Sequence, residues 1–366
     1  MLVRRKLTCN NYGQDSVQSG NLCHFGQTIF RVIRMSDVST LDVSQQMPSS
    51  SAARDFFLRA SQEISKIFVG QEELVTTALI ALVSGGHVLI EGVPGLGKTL
   101  FVKTLGRVTG CQFGRIQFTA DLMPSDVTGA PIFDMKQQDF RFRPGPVFTQ
   151  LLLADEINRS PAKTHAALLE IMQESCVTID GVTHSVPAPF LVFATQNPLE
   201  SEGTYSLPEA QLDRFMFKAM VDYPSEEEEA RVLEMHSRRV DISELLRSEV
   251  QQVCDAEAIL KLIDEVASVR VEEKLLQYIN RIVRSTRKWP MFHLGASPRA
   301  GLSLVQGARA LAAFRGRDFA VPDDVIEIVL PTLRHRIVLG AEAEVEGVQI
   351  DNELLTVLKT IDVPRV

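Results

Sequence analysis

The sequence Gly92-Val93-Pro94-Gly95-Leu96-Gly97-Lys98-Thr99 lies between an apolar run, residues 87–90, and a segment with helical spacing, residues 100–105. This order predicts a buried strand, a glycine loop and a helix. In that context the pattern G-x-x-x-x-G-K-[ST] is typical of a loop whose backbone N–H groups close around phosphate oxygens at a helix N-terminus. The alternative is a glycine-rich turn that ends in Lys-Thr by chance, but chance would seldom place it between a strand and a helix. We therefore expect a bound nucleoside triphosphate at this loop.

The residue types of the loop suit different parts of that ligand. Lys98 would neutralise the β- and γ-phosphates, and the Thr99 hydroxyl would hold Mg²⁺. Gly95 and Gly97 permit backbone angles that a side chain would forbid. The expected cofactors are ATP and Mg²⁺, and the expected nucleotide contacts are Gly92, Val93, Pro94, Gly95, Leu96, Gly97, Lys98, Thr99 and Leu100.

Two later apolar runs end in polar side chains that suit the same chemistry. Residues 151–154 lead into Asp155 and Glu156, and residues 190–194 lead towards Asn197. The carboxyl ends of parallel strands meet at one edge of a sheet, where ligands bind. The chain between the glycine loop and Asp155 leaves room for one helix and one strand, which allows the strands at 87–90 and 151–155 to be sheet neighbours.

These polar residues supply what hydrolysis of the β–γ bond needs. We expect Asp155 to orient Mg²⁺ through its water shell, Glu156 to polarise the attacking water, and Asn197 to orient that water or the γ-phosphate. Adjacent strand residues point in opposite directions, so Glu156 can act only because the strand is ending there. The plainer alternatives are a solvated strand end for the two acids and a turn residue before proline for Asn197.

Composition excludes several classes of protein. The chain has 366 residues, of which 45% are apolar and 23% charged, which is ordinary for a protein with a large apolar core. Five cysteines without a C-x-x-C pair predict free thiols in a reducing compartment, and hence a cytoplasmic protein. No apolar run is long enough to insert into a membrane as a helix. A net charge of −8 makes nucleic acid an improbable partner.

The first 50 residues differ from the rest. Residues 1–34 are basic and have no clear periodicity, which favours an unstructured extension ahead of Met35 over a targeting peptide. Residues 35–50 read as a linker. We predict an α/β domain over residues 51–224, with a parallel sheet core flanked by helices, and a smaller all-helical domain with a C-terminal tail over residues 225–366.

Local signals predict several further elements. Residues 130–142 and 177–186 each form two alternating segments around a polar turn, and an Asp-Gly pair at 180–181 strengthens the second hairpin. Ser160 is the expected cap of a helix that ends near Glu174, with Pro161 in its first turn. Helical spacing also predicts a helix over residues 245–253.

The combined motifs resemble the AAA+ ATPases, which are P-loop NTPases. Three segments are similar to the MoxR family in particular, as are the two hairpins: Asp155-Glu156-Ile157-Asn158-Arg159-Ser160-Pro161, Ala194-Thr195-Gln196-Asn197-Pro198 and Gly295-Ala296-Ser297-Pro298-Arg299-Ala300. The resemblance covers about residues 53–340. It implies a hexameric ring of identical copies that remodels protein clients in a chaperone-like way, often with a partner that contains a von Willebrand factor A domain. Maturation of partner proteins or insertion of metal cofactors into them would be forms of that activity.

The resemblance also implies roles for three residues. Asn197 matches the first sensor, Arg214 matches the arginine finger that reaches the site of the neighbouring copy, and Arg299 matches the second sensor in the helical lid. The sequence leaves open whether Arg299 acts in its own copy or in a neighbour, or is a plain surface arginine. Three other functions stay open: the motor subunit of a metal chelatase, a nucleotide-dependent assembly switch with incidental hydrolysis, and, least favoured by charge, a nucleic-acid motor.

Overall fold

A computed structural model describes residues 51–197, 205–237 and 242–364 of the chain. The predicted extension and linker over residues 1–50 lie outside the described residues. The order of elements up to the end of the sheet is α1 (Ala52–Ser65), α2 (Glu72–Ser84), β1 (Val88–Gly92), α3 (Lys98–Thr109), β2 (Phe113–Gln117), α4 (Pro124–Thr128), β3 (Gly129–Asp134), β4 (Asp139–Pro144), β5 (Leu151–Asp155), a 3₁₀ turn (Ile157–Arg159), α5 (Ala162–Glu174), β6 (Cys176–Ile179), β7 (Val182–Ser185), β8 (Leu191–Gln196), α6 (Glu209–Leu212) and β9 (Phe217–Val221).

The remaining elements are mostly helical. They are α7 (Glu226–Ser237), α8 (Ile242–Ser248), α9 (Ala256–Ser268), α10 (Glu273–Thr286), β10 (Phe292–Leu294), α11 (Pro298–Phe314), α12 (Pro322–Leu333), β11 (Val338–Leu339), α13 (Ala341–Val345) and α14 (Ile350–Lys359). A two-stranded antiparallel ribbon of β10 and β11 interrupts this part. Within the described ranges, we find no helix whose length and apolarity would let it cross a lipid bilayer.

The central sheet has the strand order β2-β5-β8-β1-β9, and every neighbouring pair is parallel. The expectation that the strands of the glycine loop and of Asp155 could be neighbours is therefore wrong, because β8 lies between β1 and β5. Phe193 of β8 pairs with Val88 on one side and with Leu153 on the other, and it is fully buried. All three strands are continuous apolar runs, so an apolar run alone does not reveal which strand is central.

The parallel arrangement gives the sheet two distinct ends. Residues that follow β1, β5 and β8 lie at the carboxyl end, and residues that precede β9 lie at the amino end. Val88 pairs with Phe217 and Gly92 with Val221, so the start of β9 is four residues, or about 13 Å, from the carboxyl end of β1. This separation decides which side chains can meet in one copy of the chain.

Helices α9, α10, α11, α12 and α14 share a continuous apolar core with α1, α2, α3 and one face of the sheet. Gly307 of α11 shows how closely they approach: a Cβ there would lie 2.5 Å from Cδ1 of Ile328 and 3.2 Å from Cζ of Phe217. The other sheet face packs on α5 in a second cluster that includes Leu89, Val192 and Phe215. The sheet and the helical part are thus held together by burial.

Both predicted hairpins are present. β3 pairs with β4, and β6 pairs with β7, in antiparallel register. Asp180 and Gly181 have φ values of 50° and 79°, as a tight two-residue turn requires. The rings of Phe142 and His184 stack with centroids 4.1 Å apart, so the two hairpins contact each other.

Two local predictions are wrong. Ser160 does not cap α5: the N-cap residue is Pro161 and no side chain caps the helix. The predicted helix over residues 245–253 stops at Ser248, since the backbone beyond it contacts other elements: Val253 N–H donates to Val108 O of α3 at 2.7 Å, and Gln251 N–H donates to Glu63 Oε2 of α1 at 2.8 Å. Tertiary hydrogen bonds replace the helical ones there.

Candidate functional site

The glycine loop joins the end of β1 to the first residue of α3. Gly95 and Gly97 have φ values of 87° and 75°, a region that a side chain disfavours. Gly92 serves packing instead, because a Cβ there would lie 2.4 Å from the carbonyl oxygen of Val221 on β9. Lys98 donates from Nζ to the carbonyl oxygen of Gly92, so its side chain folds back over the loop.

The loop and the ends of β5 and β8 enclose a cavity of about 260 Å³. Among the predicted site residues, Val93, Leu100, Arg214 and Arg299 are not part of its lining. The residues that line it are Gly92, Pro94, Gly95, Leu96, Gly97, Lys98, Thr99, Arg115, Asp155, Glu156, Thr195, Gln196 and Asn197. The sheet therefore brings together the phosphate loop, the two acids and Asn197.

Asp155 ends β5 with both carboxylate oxygens engaged. Oδ1 accepts a hydrogen bond from Thr195 Oγ1 at 2.6 Å, and Oδ2 pairs with Nη2 of Arg115 at 2.7 Å. The same Thr195 hydroxyl oxygen accepts the backbone N–H of Glu156 at 2.8 Å. Thr195 thus ties the tip of β8 to both acids, and it fixes the carboxylate that we expect to face Mg²⁺.

Glu156 follows at a turn of the backbone. Its φ of 56° is left-handed, which takes the residue out of strand geometry and lets both neighbouring acids line one cavity. Its Oε2 accepts from Gln117 Nε2 at 2.8 Å and pairs with Arg159 Nε at 3.1 Å. At least one of these two contacts would have to yield before Oε2 could accept a hydrogen bond from a water molecule.

Sequence reasoning missed Arg115, Gln117 and Thr195. Arg115 and Gln117 are two residues apart on β2, so they share a face, and they hydrogen-bond each other at 2.8 Å. A polar pair at this spacing in β2 was the available signal. The sequence signal for Thr195 was weaker, because it is a single hydroxyl residue at the end of an apolar run.

The charges and atoms around the cavity fit a triphosphate with Mg²⁺. Burial lowers the pKa of Lys98, and the carboxylates of Asp155, Glu91 and Glu156 oppose that shift. A half-buried ammonium beside a helix N-terminus suits phosphate oxygens. A hydroxyl at Thr99 and a carboxylate at Asp155 are hard oxygen ligands of the kind that Mg²⁺ prefers, usually with phosphates and waters completing its shell.

Arg214 and Arg299 lie elsewhere. Arg214 precedes β9 at the amino end of the sheet, and its Nη1 donates to the carbonyl oxygen of Leu169 in α5 at 2.6 Å. Arg299 is exposed in the first turn of α11. Ser297, two residues before it, donates to Asp213, so Arg299 also belongs to the amino end. Asp213 therefore connects the segments that carry the two arginines, and neither arginine lines the cavity of its own chain.

Comparison with known proteins gives the same two-part architecture. Residues 87–217 match the family described as ATPase family associated with various cellular activities (AAA), and residues 284–356 match the AAA lid domain. Over 319 residues the chain is 46% identical to the chaperone MoxR1 of Mycobacterium tuberculosis, which covers 84% of this chain and 82% of that relative.

Two further similarities extend over most of the chain. The uncharacterized protein YeaC of Bacillus subtilis is 44% identical over 306 residues, which are 84% of this chain and 94% of that protein. A solved structure of a Cytophaga hutchinsonii protein assigned as an ATPase superposes with a TM-score of 0.80 at 40% identity. It covers 86% of this chain and 97% of the other.

Proposed function

Since this chain belongs to the MoxR family of AAA+ ATPases, we propose that it hydrolyses ATP with Mg²⁺ in a hexameric ring of identical copies and uses the turnover to remodel protein clients. The observation that carries the proposal is the division of the site. One copy supplies the loop, the acids and Asn197 at the carboxyl end of its sheet, whereas Arg214 and Arg299 lie at the amino end.

A complete site in this proposal forms where two copies meet. Arg214 and Arg299 of one copy would approach the γ-phosphate held by the other copy, and both would act in trans. The exposed surface around Arg299 supports such a contact, because Leu302, one turn further along α11, is 64% exposed. An arginine supplied in trans is worth about 10³ to 10⁵ in rate in well-studied nucleotidases. An isolated copy should therefore hydrolyse ATP poorly.

Within the site, each side chain has one task. Lys98 and the loop N–H groups hold the phosphates, and Thr99 and Asp155 would hold Mg²⁺, which neutralises charge on the β- and γ-oxygens when bound. Glu156 exchanges its hydrogen bonds with Gln117 and Arg159 for one to the attacking water, and it takes up the proton that this water loses. Asn197, buried at the tip of β8, orients the same water.

The two hairpins are the proposed client contact. Four large apolar side chains on the first hairpin are at least 46% exposed: Ile132, Phe133, Met135 and Phe140. An exposed apolar patch of this kind suits an unfolded or partly folded polypeptide. The stacked pair Phe142 and His184 would make the hairpins move together. A von Willebrand factor A domain protein is the proposed partner, and the cytoplasm is the proposed location.

The experiment is a substitution that binds ATP without hydrolysing it. Glu156→Gln in ATP should be recovered as a ring with bound client after affinity purification, because ATP that stays bound stabilises whichever assembly binds it. Lys98→Ala is the matched control, since it should lose ATP and retain no client. Recovery of Glu156→Gln as a single copy at saturating ATP, with mass measured by light scattering, would contradict the ring.

A further inference from the structure

Asp213, the residue before Arg214, is held by two side chains from the helical part of the chain. Ser297 Oγ lies 2.9 Å from Oδ1 and 2.8 Å from Oδ2 of Asp213, so its hydroxyl donates to this carboxylate. Arg336 Nε donates to Oδ1 at 2.9 Å. Ser297 is also the N-cap of α11 and accepts the backbone N–H of Arg299 at 3.1 Å. One carboxylate therefore links the segments that carry both arginines.

Arg336 anchors this link in the core. Its side chain is 2% exposed, and every nitrogen of its guanidinium has a partner. Nη2 donates to the carbonyl oxygen of Phe215 at 2.6 Å and to Ser303 Oγ of α11 at 3.1 Å, and Nη1 donates to the carbonyl oxygen of Met216 at 3.2 Å. The guanidinium thus joins the end of α12, the body of α11 and the turn before β9.

A buried ion pair is a poor way to gain stability, because desolvation of the two charges cancels most of their attraction. It is a good way to fix geometry, since each partner has few alternative positions. Catalytic groups that act on a phosphate must be held closely, and a misplacement of 1 Å costs about 10²-fold in rate. The Arg214 guanidinium donates to the carbonyl oxygen of Leu169, and Arg299 is exposed. The contacts of Asp213 link the two segments that carry these arginines.

We propose that Asp213, Ser297 and Arg336 form a positioning clamp that holds Arg214 and Arg299 at a fixed spacing, so that both reach the triphosphate of the neighbouring copy together. The clamp rests on the proposed function, in which both arginines act in trans. Ser297, Asp213 and Arg336 are positioning residues and touch no phosphate. A movement of α11 relative to β9 would change the spacing between Arg214 and Arg299. Hydrolysis in one copy therefore responds to the position of the helical part in the neighbouring copy.

The test uses a donor and an acceptor copy. Arg214→Ala is the acceptor, with an intact cavity and no finger. Lys98→Ala is the donor, with a disabled cavity and both arginines. The donor Lys98→Ala/Ser297→Ala should restore about tenfold less ATPase activity than the donor Lys98→Ala. The reason is that loss of the hydrogen bond to the Asp213 carboxylate no longer fixes the spacing between Arg214 and Arg299. Lys98→Ala/Ser297→Thr keeps a hydroxyl and should restore most of the activity.

Ser51 provides a matched control. It is the N-cap of α1, and its hydroxyl donates at 2.7 Å to Glu265 of α9, so it makes the same two kinds of bond as Ser297. The donor Lys98→Ala/Ser51→Ala should lose similar thermal stability but restore as much activity as Lys98→Ala. If the Ser297→Ala and Ser51→Ala donors restore equally, the clamp is overturned. If the donor Lys98→Ala itself restores nothing, the trans assignment fails instead.

A second measurement guards against misfolding. The single variant Ser297→Ala should bind a fluorescent ATP analogue as tightly as the unmodified protein, since Ser297 is not among the residues that line the cavity, while its kcat falls about tenfold. A parallel loss of nucleotide affinity and kcat would indicate a general structural role and would also overturn the clamp.

Discussion

At the carboxyl end of the sheet, the phosphate loop, Asp155, Glu156 and Asn197 line one cavity, whereas at the amino end Arg214 and Arg299 flank the partly buried cluster of Asp213, Ser297 and Arg336. The first end collects acids, a lysine and loop N–H groups, which suit a metal and phosphates. The second carries two arginines, of which Arg214 is half-buried and Arg299 is exposed. This difference is what supports the proposal that the two ends complement each other between copies.

The two ends also differ in how their parts are supplied. The carboxyl end uses residues that directly follow strands, so the direction of the sheet alone gathers them. The amino end uses side chains from three separate segments, and it needs Asp213, Ser297 and Arg336 to bring them together. The first end should therefore tolerate changes in the helical part that the second does not.

The largest expected effect is on the turnover of ATP and not on its binding, and it comes from the loss of Arg214. Arg214→Ala should lower kcat by about 10³ or more and leave the affinity for ATP within about twofold, because the finger acts on charge that develops during hydrolysis in a neighbouring copy. Steady-state ATPase assays and analogue titration give the two quantities. Arg214→Lys, which keeps the charge without the planar fork, should recover only part of the rate. A large loss of ATP affinity in Arg214→Ala would place the arginine in its own cavity.

Acid should lower the free energy of unfolding through His87, which directly precedes β1 at the amino end of the sheet. Burial lowers the pKa of His87 to about 4 from an ordinary value of 6.5, where it accepts the N–H of Val192 at Nδ1 and hydrogen-bonds the carbonyl oxygen of Met172 through Nε2. The pKa of His87 is lower in the folded than in the unfolded state. The contribution of neutral His87 to the free energy of unfolding is therefore present above pH 6.5 and is lost as the pH falls towards 4. The loss is about 2 kcal/mol at pH 5.

Denaturant unfolding at pH 7.5 and pH 5 measures that loss. His87→Gln removes the titrating group, so its stability should fall less between the two pH values, although it is less stable at both. A second buried histidine, His335, also has a lowered pKa, from burial and from the charge of Arg336, and it hydrogen-bonds Phe215 O. Some acid sensitivity should therefore remain. An unchanged difference between pH 7.5 and pH 5 in His87→Gln would contradict the assignment.

The smallest expected effect is on the Mg²⁺ requirement for nucleotide binding, and it concerns Arg115 at the cavity. Arg115 occupies one oxygen of Asp155 in an exposed ion pair, and such pairs are worth up to about 1 kcal/mol. Arg115→Gln should free that oxygen and lower the Mg²⁺ concentration for half-maximal nucleotide binding by up to about fivefold, measured by calorimetry. Lys103→Gln, which removes an exposed positive charge on α3, is the control. A higher Mg²⁺ requirement in Arg115→Gln would show that Arg115 assists the cavity.

The carboxyl end was largely predictable because its signals are local. The glycine loop, the acids after residues 151–154 and the two hairpins each depend on a few adjacent residues, and the family comparison supports the predicted fold. The strand order was not predictable, since β1, β5 and β8 carry equivalent apolar runs. Partners across the sheet, such as Arg115 and Thr195, depend on that order and were missed with it.

The amino end was less predictable for a related reason. Arg214 and Arg299 came from resemblance to a family, whereas the contacts of Asp213 with Ser297 and Arg336 span 84 and 123 residues. A buried arginine cannot be told from a surface arginine by its immediate sequence, because the residues that cover it come from other elements. Ser160 illustrates the converse error: a good local cap signal loses to the backbone path that follows the 3₁₀ turn.

The most direct measurement of the central claim mixes Arg214→Ala with Lys98→Ala copies and records steady-state ATPase activity against each variant alone. Arg214→Ala copies keep an intact cavity, and Lys98→Ala copies keep Arg214. Wherever the two meet in the correct order in a mixed ring, the junction carries both an intact cavity and an intact arginine. We predict that the mixture hydrolyses ATP well above the sum of the two variants. A mixture as inactive as its components, in rings shown to contain both, would contradict a site shared between the two ends of neighbouring sheets.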